Sequence, residues 1–146
     1  MKILIDADGC PVVDIAVKLG QKYNIETIIM CDTSHVINKI GVETIVLSKG
    51  IDSVDFALIN KVSKDDIIVT QDYGLAAMAL SKDGHPINQN GMIYSNENID
   101  QLLFTRHLSK KIRNSGQITK GPKKRTKEDD IKFKDSLIYL IEKLRD

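Results

Sequence analysis

The chain lacks tryptophan and is poor in other aromatic residues, since phenylalanine, tyrosine and tryptophan together make up 5% of its 146 residues. Its core must therefore consist mainly of aliphatic side chains. The two cysteines are too few for a disulfide framework or a cysteine-rich zinc site. No apolar run approaches the roughly 20 residues of a membrane span, and the start "MKILIDADG" does not resemble a signal peptide. We therefore expect a cytoplasmic protein with no membrane partner.

The formal net charge of +1 conceals a strong asymmetry along the chain. Residues 1–105 contain 8 basic and 14 acidic residues, whereas residues 106–146 contain 13 basic and 6 acidic ones. Nine basic residues and no acidic residue occur from Arg106 to Lys127. This pattern indicates an acidic body and a basic C-terminal segment with different functions.

Short apolar runs alternate with segments of helical periodicity, which predicts an α/β fold with a doubly wound, mainly parallel sheet. The length favours a single domain spanning residues 1–146. A basic loop is expected at about 114–126 and a C-terminal helix at about 127–145, with Thr126 and Asp129 forming a capping box. The expected strands are "KILID", "ETIIMC", "VETIVLS", "DIIVTQ" and a possible short fifth, "GMIYS".

Acidic residues follow two of the predicted strands. Asp6 and Asp8 lie at the end of the first strand, and Asp72 follows the fourth. If those strands are neighbours, their carboxyl ends share the crevice in which ligands of open α/β sheets bind. Carboxylate oxygens suit Mg²⁺ or Mn²⁺, so a divalent-metal site is predicted there. The structural alternatives are turn chemistry for the first two residues and a helix N-cap for Asp72.

A second acidic pair, Asp52 and Asp55, lies one helical turn apart in "GIDSVDFALIN". Asp52 is the better N-cap, and Asp55 is assigned to the site because it precedes the apolar run "FALI". The candidate catalytic and metal-binding residues are thus Asp6, Asp8, Asp55 and Asp72.

The basic loop offers four residues for contact with a polyanion: Lys120, Lys123, Lys124 and Arg125. The alternative is a solvated linker. No aromatic residue lies between Arg106 and Lys132, so this stretch is not expected to stack on bases.

The segment "DADGC" also invites comparison with haloacid-dehalogenase-type phosphatases, in which a threonine would stand at the position of Cys10. The acidic pair expected after a later strand is missing, because Asp65 and Asp66 precede theirs. A phosphatase of that type is therefore a secondary hypothesis. For Cys10 itself, a packing role is favoured over a catalytic thiol, since no base partner is visible.

Three ordered motifs, "DADGCPV", "VTQDYGLAAMAL" and "TKGPKKRTKEDDIKF", resemble the YaiI/YqxD family of small bacterial proteins over nearly the whole chain. The resemblance implies a PIN-like domain with a three-layer α/β/α fold, related to metal-dependent ribonucleases. The PIN pattern of acidic residues then corresponds to Asp6, Asp55 and Asp72.

We therefore expect a divalent-metal-dependent nuclease that hydrolyses phosphodiesters, with RNA favoured over DNA as the substrate and Mg²⁺ or Mn²⁺ as cofactor. A competing hypothesis is a nucleic-acid-binding module that has kept the fold without catalysis.

Overall fold

The computed structural model describes residues 1–32, 39, 41–47, 53–114, 116 and 124–145. Strands alternate with helices along most of this part of the chain. The strands are β1 (Lys2–Asp6), β2 (Glu26–Asp32), β3 (Glu43–Leu47), β4 (Ile67–Val69) and β5 (His85–Ile87). The helices are α1 (Val13–Lys22), α2 (Ser53–Lys61), α3 (Tyr73–Ser81), α4 (Asn96–Asn114) and α5 (Lys127–Arg145). In the described ranges, no helix combines the length and apolar character needed to cross a membrane.

The strands form one parallel sheet in the order β3-β2-β1-β4-β5. The adjacent placement of the first and fourth strands is as predicted, with Ile3 opposite Ile67 and Ile5 opposite Val69. The chain moves outward from β1 to β3 on one side and then returns to place β4 on the other. The boundary between β1 and β4 is therefore the topological switch point, where open α/β sheets bind ligands.

Helices cover both faces of this sheet, which gives the doubly wound, three-layer α/β/α fold predicted from the sequence. On one face, α1 and α5 pack against alternate strand residues such as Ile5 and Val69. On the other face, α2 and α3 pack against Leu4, Met30 and Ile68. The alternation follows from the period of two along a strand, and the apolar runs are continuous because both faces are buried.

The segment "GMIYS" was wrongly expected to be a strand. The fifth strand is instead His85–Ile87, and Ile93 forms only an isolated antiparallel bridge to Ile87. Asn88 makes the turn between them, because its Oδ1 accepts hydrogen bonds from the backbone N–H groups of Asn90 and Met92 at 2.9 Å. A proline within β5 is tolerated because this strand lies at the edge of the sheet.

The last helix begins with the capping box predicted from its sequence. The Asp129 carboxylate accepts a hydrogen bond from the Thr126 backbone N–H at 2.9 Å, and the Thr126 hydroxyl accepts one from the Asp129 N–H at 3.4 Å. These reciprocal bonds satisfy backbone donors that the first turn of a helix leaves unpaired. Farther along, Phe133 and Leu137 are fully buried, so α5 is an integral part of the layer it shares with α1.

Candidate acidic active site

A cavity of about 620 Å³ opens at the carboxyl end of the sheet, at the switch point between β1 and β4. It brings together all four carboxylates that were selected from the sequence. They come from separate parts of the chain: the end of β1 and the turn after it, the first turn of α2, and the residue before α3. The lining residues are Asp6, Asp8, Gly9, Asp55, Gln71, Asp72, Tyr73 and Arg106.

Asp6 is the most strongly perturbed of these carboxylates. It is the last residue of β1, and one of its carboxylate oxygens accepts a hydrogen bond from the Thr70 hydroxyl at 2.8 Å. Burial raises the pKa of Asp6 to about 6, against the opposing effect of the Thr70 bond, and the charges of Asp8 and Asp72 raise it further. Asp8 and Asp72 therefore act electrostatically on Asp6, whose own carboxylate is partly desolvated.

Thr70 forms hydrogen bonds with both Asp6, at the end of β1, and Asp72, which follows β4. It was not among the site residues predicted from the sequence. Its hydroxyl donates to Asp6 and accepts a hydrogen bond from the backbone N–H of Asp72 at 3.0 Å. Its carbonyl accepts a bond from the hydroxyl of Tyr94 at 3.2 Å, and the residue is buried. A hydroxyl directly after an apolar strand and two residues before an aspartate was the available signal. Thr70 thus sets the relative position of Asp6 and Asp72.

Asp72 has the structural role that was considered as its alternative. Its Oδ1 atom accepts hydrogen bonds from the N–H groups of Gly74 at 2.8 Å and Leu75 at 3.1 Å, which caps α3. The same oxygen lies 3.6 Å from the guanidinium of Arg106. The carboxylate is therefore held in place by the helix end while it lines the cavity. Capping and a position in the site are compatible in this residue.

Asp8 and Asp55 complete the acidic lining. An oxygen of Asp8 accepts a hydrogen bond from the backbone N–H of Asp32, at the end of β2, at 3.3 Å. Asp55 lies in the first turn of α2, where the helix dipole favours a negative charge. Asp52, the expected cap of that helix, lies outside the described residues.

Three further side chains line the cavity and were not selected as acidic-site residues. Arg106 projects from α4, and 59% of its side chain is exposed, so its guanidinium remains accessible to a ligand. Tyr73 packs edge-on against Tyr94, with 6.0 Å between the ring centroids. Gln71 donates a hydrogen bond from Nε2 to the carbonyl of Gly9 at 3.0 Å. Such contacts depend on the tertiary fold and have no local sequence signature.

The donor chemistry of the cavity suits a hard divalent cation, but the carboxylates do not form a closed cage. Within the described ranges, no three acidic, histidine or cysteine side chains are placed to hold one metal ion together. Mg²⁺ commonly binds through one or two carboxylates, keeps several waters and takes further oxygens from substrate phosphates. The residues present therefore fit a largely hydrated ion held by part of the carboxylate set.

The predicted nucleic-acid-binding residues have different environments. The guanidinium of Arg125 donates to a carboxylate oxygen of Asp130 at 2.8 Å, to Oδ1 of Asn90 at 2.7 Å and to the carbonyl of Gln89 at 2.7 Å. Arg125 therefore fastens the turn after β5 to the start of α5. Lys124 is exposed. The remaining two predicted residues, Lys120 and Lys123, lie outside the described part of the chain.

Cys10 lies close to the acidic cavity but in an environment that opposes thiolate formation. Burial raises the pKa of its thiol, and the charge of Asp6 adds to that effect, against a backbone hydrogen bond at Val12 and the charge of Arg125. Because the thiolate is the reactive form of cysteine, this setting agrees with a packing role.

Comparison with known proteins gives the family. The family described as "Uncharacterized BCR, YaiI/YqxD family" matches residues 4–143. The chain belongs to the YaiI/YqxD family. A UPF0178 protein of Exiguobacterium sibiricum is 52% identical over 141 residues, which cover 97% of this chain and 96% of the relative. A UPF0178 protein of Clostridium acetobutylicum is 47% identical over 143 residues, which cover 97% of each chain.

Other members have similar coverage. A UPF0178 protein of Ruminiclostridium cellulolyticum is 52% identical over 141 residues, or 97% of this chain and 92% of the relative. No solved structure gave a significant match. The names of these YaiI/YqxD relatives state no reaction, so a function has to be argued from the site.

Proposed function

We propose that this member of the YaiI/YqxD family is a divalent-metal-dependent nuclease that hydrolyses phosphodiester bonds in RNA in preference to DNA. The observation that carries the proposal is the gathering of four carboxylates, from separate elements, in one open cavity at the switch point of the sheet. Carboxylates in one site repel each other, and the pKa of Asp6 is raised mainly by burial and further by the charges of Asp8 and Asp72. A bound cation would offset this cost.

The four carboxylates have different roles in the proposed reaction. Asp6 and Asp72 are the anchoring ligands, because Thr70 and the end of α3 hold them in position. Asp8 and Asp55 add negative charge that favours a hydrated dication over a monovalent one. When bound, Mg²⁺ or Mn²⁺ supplies Lewis-acid polarisation of the phosphate and an activated water. The proposal includes action in the cytoplasm, where RNA is available as a substrate.

Arg106 gives the acidic cavity its means of accepting an anion. Its exposed guanidinium lies beside Asp72 and can donate two parallel hydrogen bonds to the oxygens of a phosphate. We assign to it the orientation of the phosphodiester against the carboxylates. The basic segment that includes Lys120, Lys123 and Lys124 supplies further contacts to the phosphates of the nucleic acid. The acidic body of the protein would otherwise repel these phosphates.

The competing hypothesis is a nucleic-acid-binding module without catalysis. One observation favours it: in the described ranges, no three metal-ligating side chains are arranged around a common point. The same basic segment and Arg106 would then bind RNA that is not cleaved.

The experiment is a cleavage assay on matched RNA and DNA of one sequence, with Mg²⁺, Mn²⁺ or a chelator. The test variants are Asp6→Asn and Asp72→Asn, and the control is Asp100→Asn, at an exposed position on α4. Asparagine is itself a good N-cap residue, so Asp72→Asn should leave α3 intact. Metal-dependent cleavage by the wild type and control, with loss in both test variants, supports the nuclease. Retention of uncut RNA with every metal supports the binding module. Equal cleavage by all four proteins contradicts the assignment of Asp6 and Asp72 to the active site.

A further inference from the structure

A second cavity, of about 510 Å³, adjoins the acidic one. The two cavities share Gly9 and Gln71, and the hydrogen bond from the Gln71 side chain to the Gly9 carbonyl forms part of their common wall. Both volumes fall in the range of about 300–1,000 Å³ that is typical of small-molecule sites. A chain-like ligand that occupies the acidic cavity can therefore extend across this wall. The residues lining the second cavity are Gly9, Pro11, Gln71, Gln89, Asn90, Lys124, Arg125, Thr126 and Asp129.

The charge of the second cavity differs from that of the first. Arg125 is paired with Asp130, and Asp129 is held by the backbone and hydroxyl of Thr126, which keep its pKa below the usual range. Lys124 is exposed and forms no ion pair with any described residue. The cavity therefore offers one ammonium group for an anion, beside charges that are already engaged in the fold.

The neutral side chains provide hydrogen-bonding groups of both kinds. Gln71 uses its Nε2 atom to donate to Gly9, which leaves its carbonyl oxygen as an acceptor at the wall. Asn90 uses its Oδ1 atom to accept from Arg125, which leaves its amide NH₂ as a donor. The edges of nucleobases present donors and acceptors together, which such a pair of amides can match. No aromatic side chain is among the described lining residues, so recognition would rely on hydrogen bonds instead of stacking.

We infer that the second cavity is a nucleotide subsite, in which Lys124 binds a phosphate. The side-chain amides that line it contact the base, namely those of Gln71, Gln89 and Asn90. The ligand would be the nucleotide next to the phosphodiester in the acidic cavity, and in this respect the inference rests on the proposed function. The hydrogen bonds that Arg125 donates to Asn90 and Gln89 have a structural role at this subsite. They fix the orientation of the Asn90 amide and hold the loop that carries Gln89 against α5.

The test is an NMR titration of the wild-type protein with a 5′-phosphorylated dinucleotide, in the presence of a chelator so that no cleavage occurs. The side-chain NH₂ signals of Gln71, Gln89 and Asn90 report directly on the second cavity. The expected result is a saturable shift of these signals. Lys124→Ala should weaken binding and reduce the slope of log affinity against log salt by about 0.7, the value for one lost phosphate contact on a single strand. The control is Lys61→Ala, at an exposed lysine that ends α2.

A further variant, Gln89→Ala, removes a lining amide but keeps the backbone carbonyl that accepts from Arg125. We expect it to lower affinity roughly 2- to 10-fold, the effect of losing one hydrogen bond, with no loss of folding. Shifts confined to backbone signals around Asp6 and Asp72 would overturn the subsite and leave the nuclease proposal standing. Shifts in the second cavity, from a protein that cleaves no RNA with any metal, would support the subsite and refute the nuclease. No shift in either cavity would overturn the subsite, and the metal-dependent cleavage assay would still decide the nuclease.

Discussion

Replacing Asp6 with asparagine should stabilise the protein at neutral and alkaline pH, although it removes a residue of the proposed site. Asparagine has nearly the same shape as aspartate, and its carbonyl oxygen can still accept the hydrogen bond that Thr70 donates at 2.8 Å. The substitution removes the negative charge, which burial and the neighbouring carboxylates disfavour. Asp6→Asn therefore isolates the electrostatic cost of the site.

The magnitude follows from the pKa. The folded-state pKa of Asp6 is about 6, against 3.8 for the group in its ordinary state. Between these values the folded protein holds a proton that the unfolded chain has released, so the free energy of unfolding falls as the pH rises. The cost is absent below about pH 4 and complete above about pH 6, with a ceiling of roughly 3 kcal/mol at 1.36 kcal/mol per unit. The asparagine amide is also partly desolvated, which reduces the expected gain at pH 8 to about 1–2 kcal/mol.

The measurement is thermal unfolding of the wild type and Asp6→Asn in a chelating buffer at pH 8 and pH 4. A gain of this size corresponds to an increase of about 2–8 °C in Tm at pH 8 for a chain of this length. The difference should shrink at pH 4, because the wild-type carboxyl is then mostly protonated in the folded state. The exposed Asp100→Asn variant serves as the control for loss of one charge. A variant that is less stable than the wild type at pH 8, or equally stabilised at both pH values, would refute this reasoning.

Three other substitutions test separate parts of the structure by urea unfolding. Arg125→Ala should cost about 1–3 kcal/mol, because it breaks the charge-assisted bonds between the turn after β5 and α5, whereas Lys124→Ala should leave stability unchanged. Asp72→Ala should cost about 0.5–2 kcal/mol by removing the cap of α3, and an unchanged unfolding midpoint would exclude a capping contribution. Phe133→Ala should cost about 3–5 kcal/mol as a truncation in the core, in contrast to Phe104→Ala at a position 65% exposed.

The central strands and the carboxylate cavity could be predicted from the sequence because their signals are local. "ILI" and "IIV" are short, continuous apolar runs, which is what strands buried on both faces require. Aspartates that follow such runs within a few residues should then lie at the same edge of a parallel sheet. The gathering of Asp6 and Asp72 follows from these two facts and from the adjacency of β1 and β4.

The features that were missed depend on contacts between distant parts of the chain. Pro86 makes β5 a poor strand by local preference, and only its place at the edge of the sheet allows it. Arg125 was selected for its charge, but its partner Asn90 is 35 residues away and uncharged, so no pattern indicated their contact. Thr70 lies between two carboxylates only after the strands have paired. Each of these residues acquires its role through tertiary structure.

Apolar contacts with distant parts of the chain hold α5 in the layer that it shares with α1. Residues such as Phe133 and Leu137 reach the core from a helix that follows the basic segment, and among the described residues their buried core neighbours outside α5 come from residues 3–87. Two separate polypeptides, residues 1–114 and 124–145, would present complementary apolar surfaces and should reassemble when mixed, as a cleaved protein can remain associated. Reassembly would show that packing, and not the covalent link to α4, holds α5 in its layer.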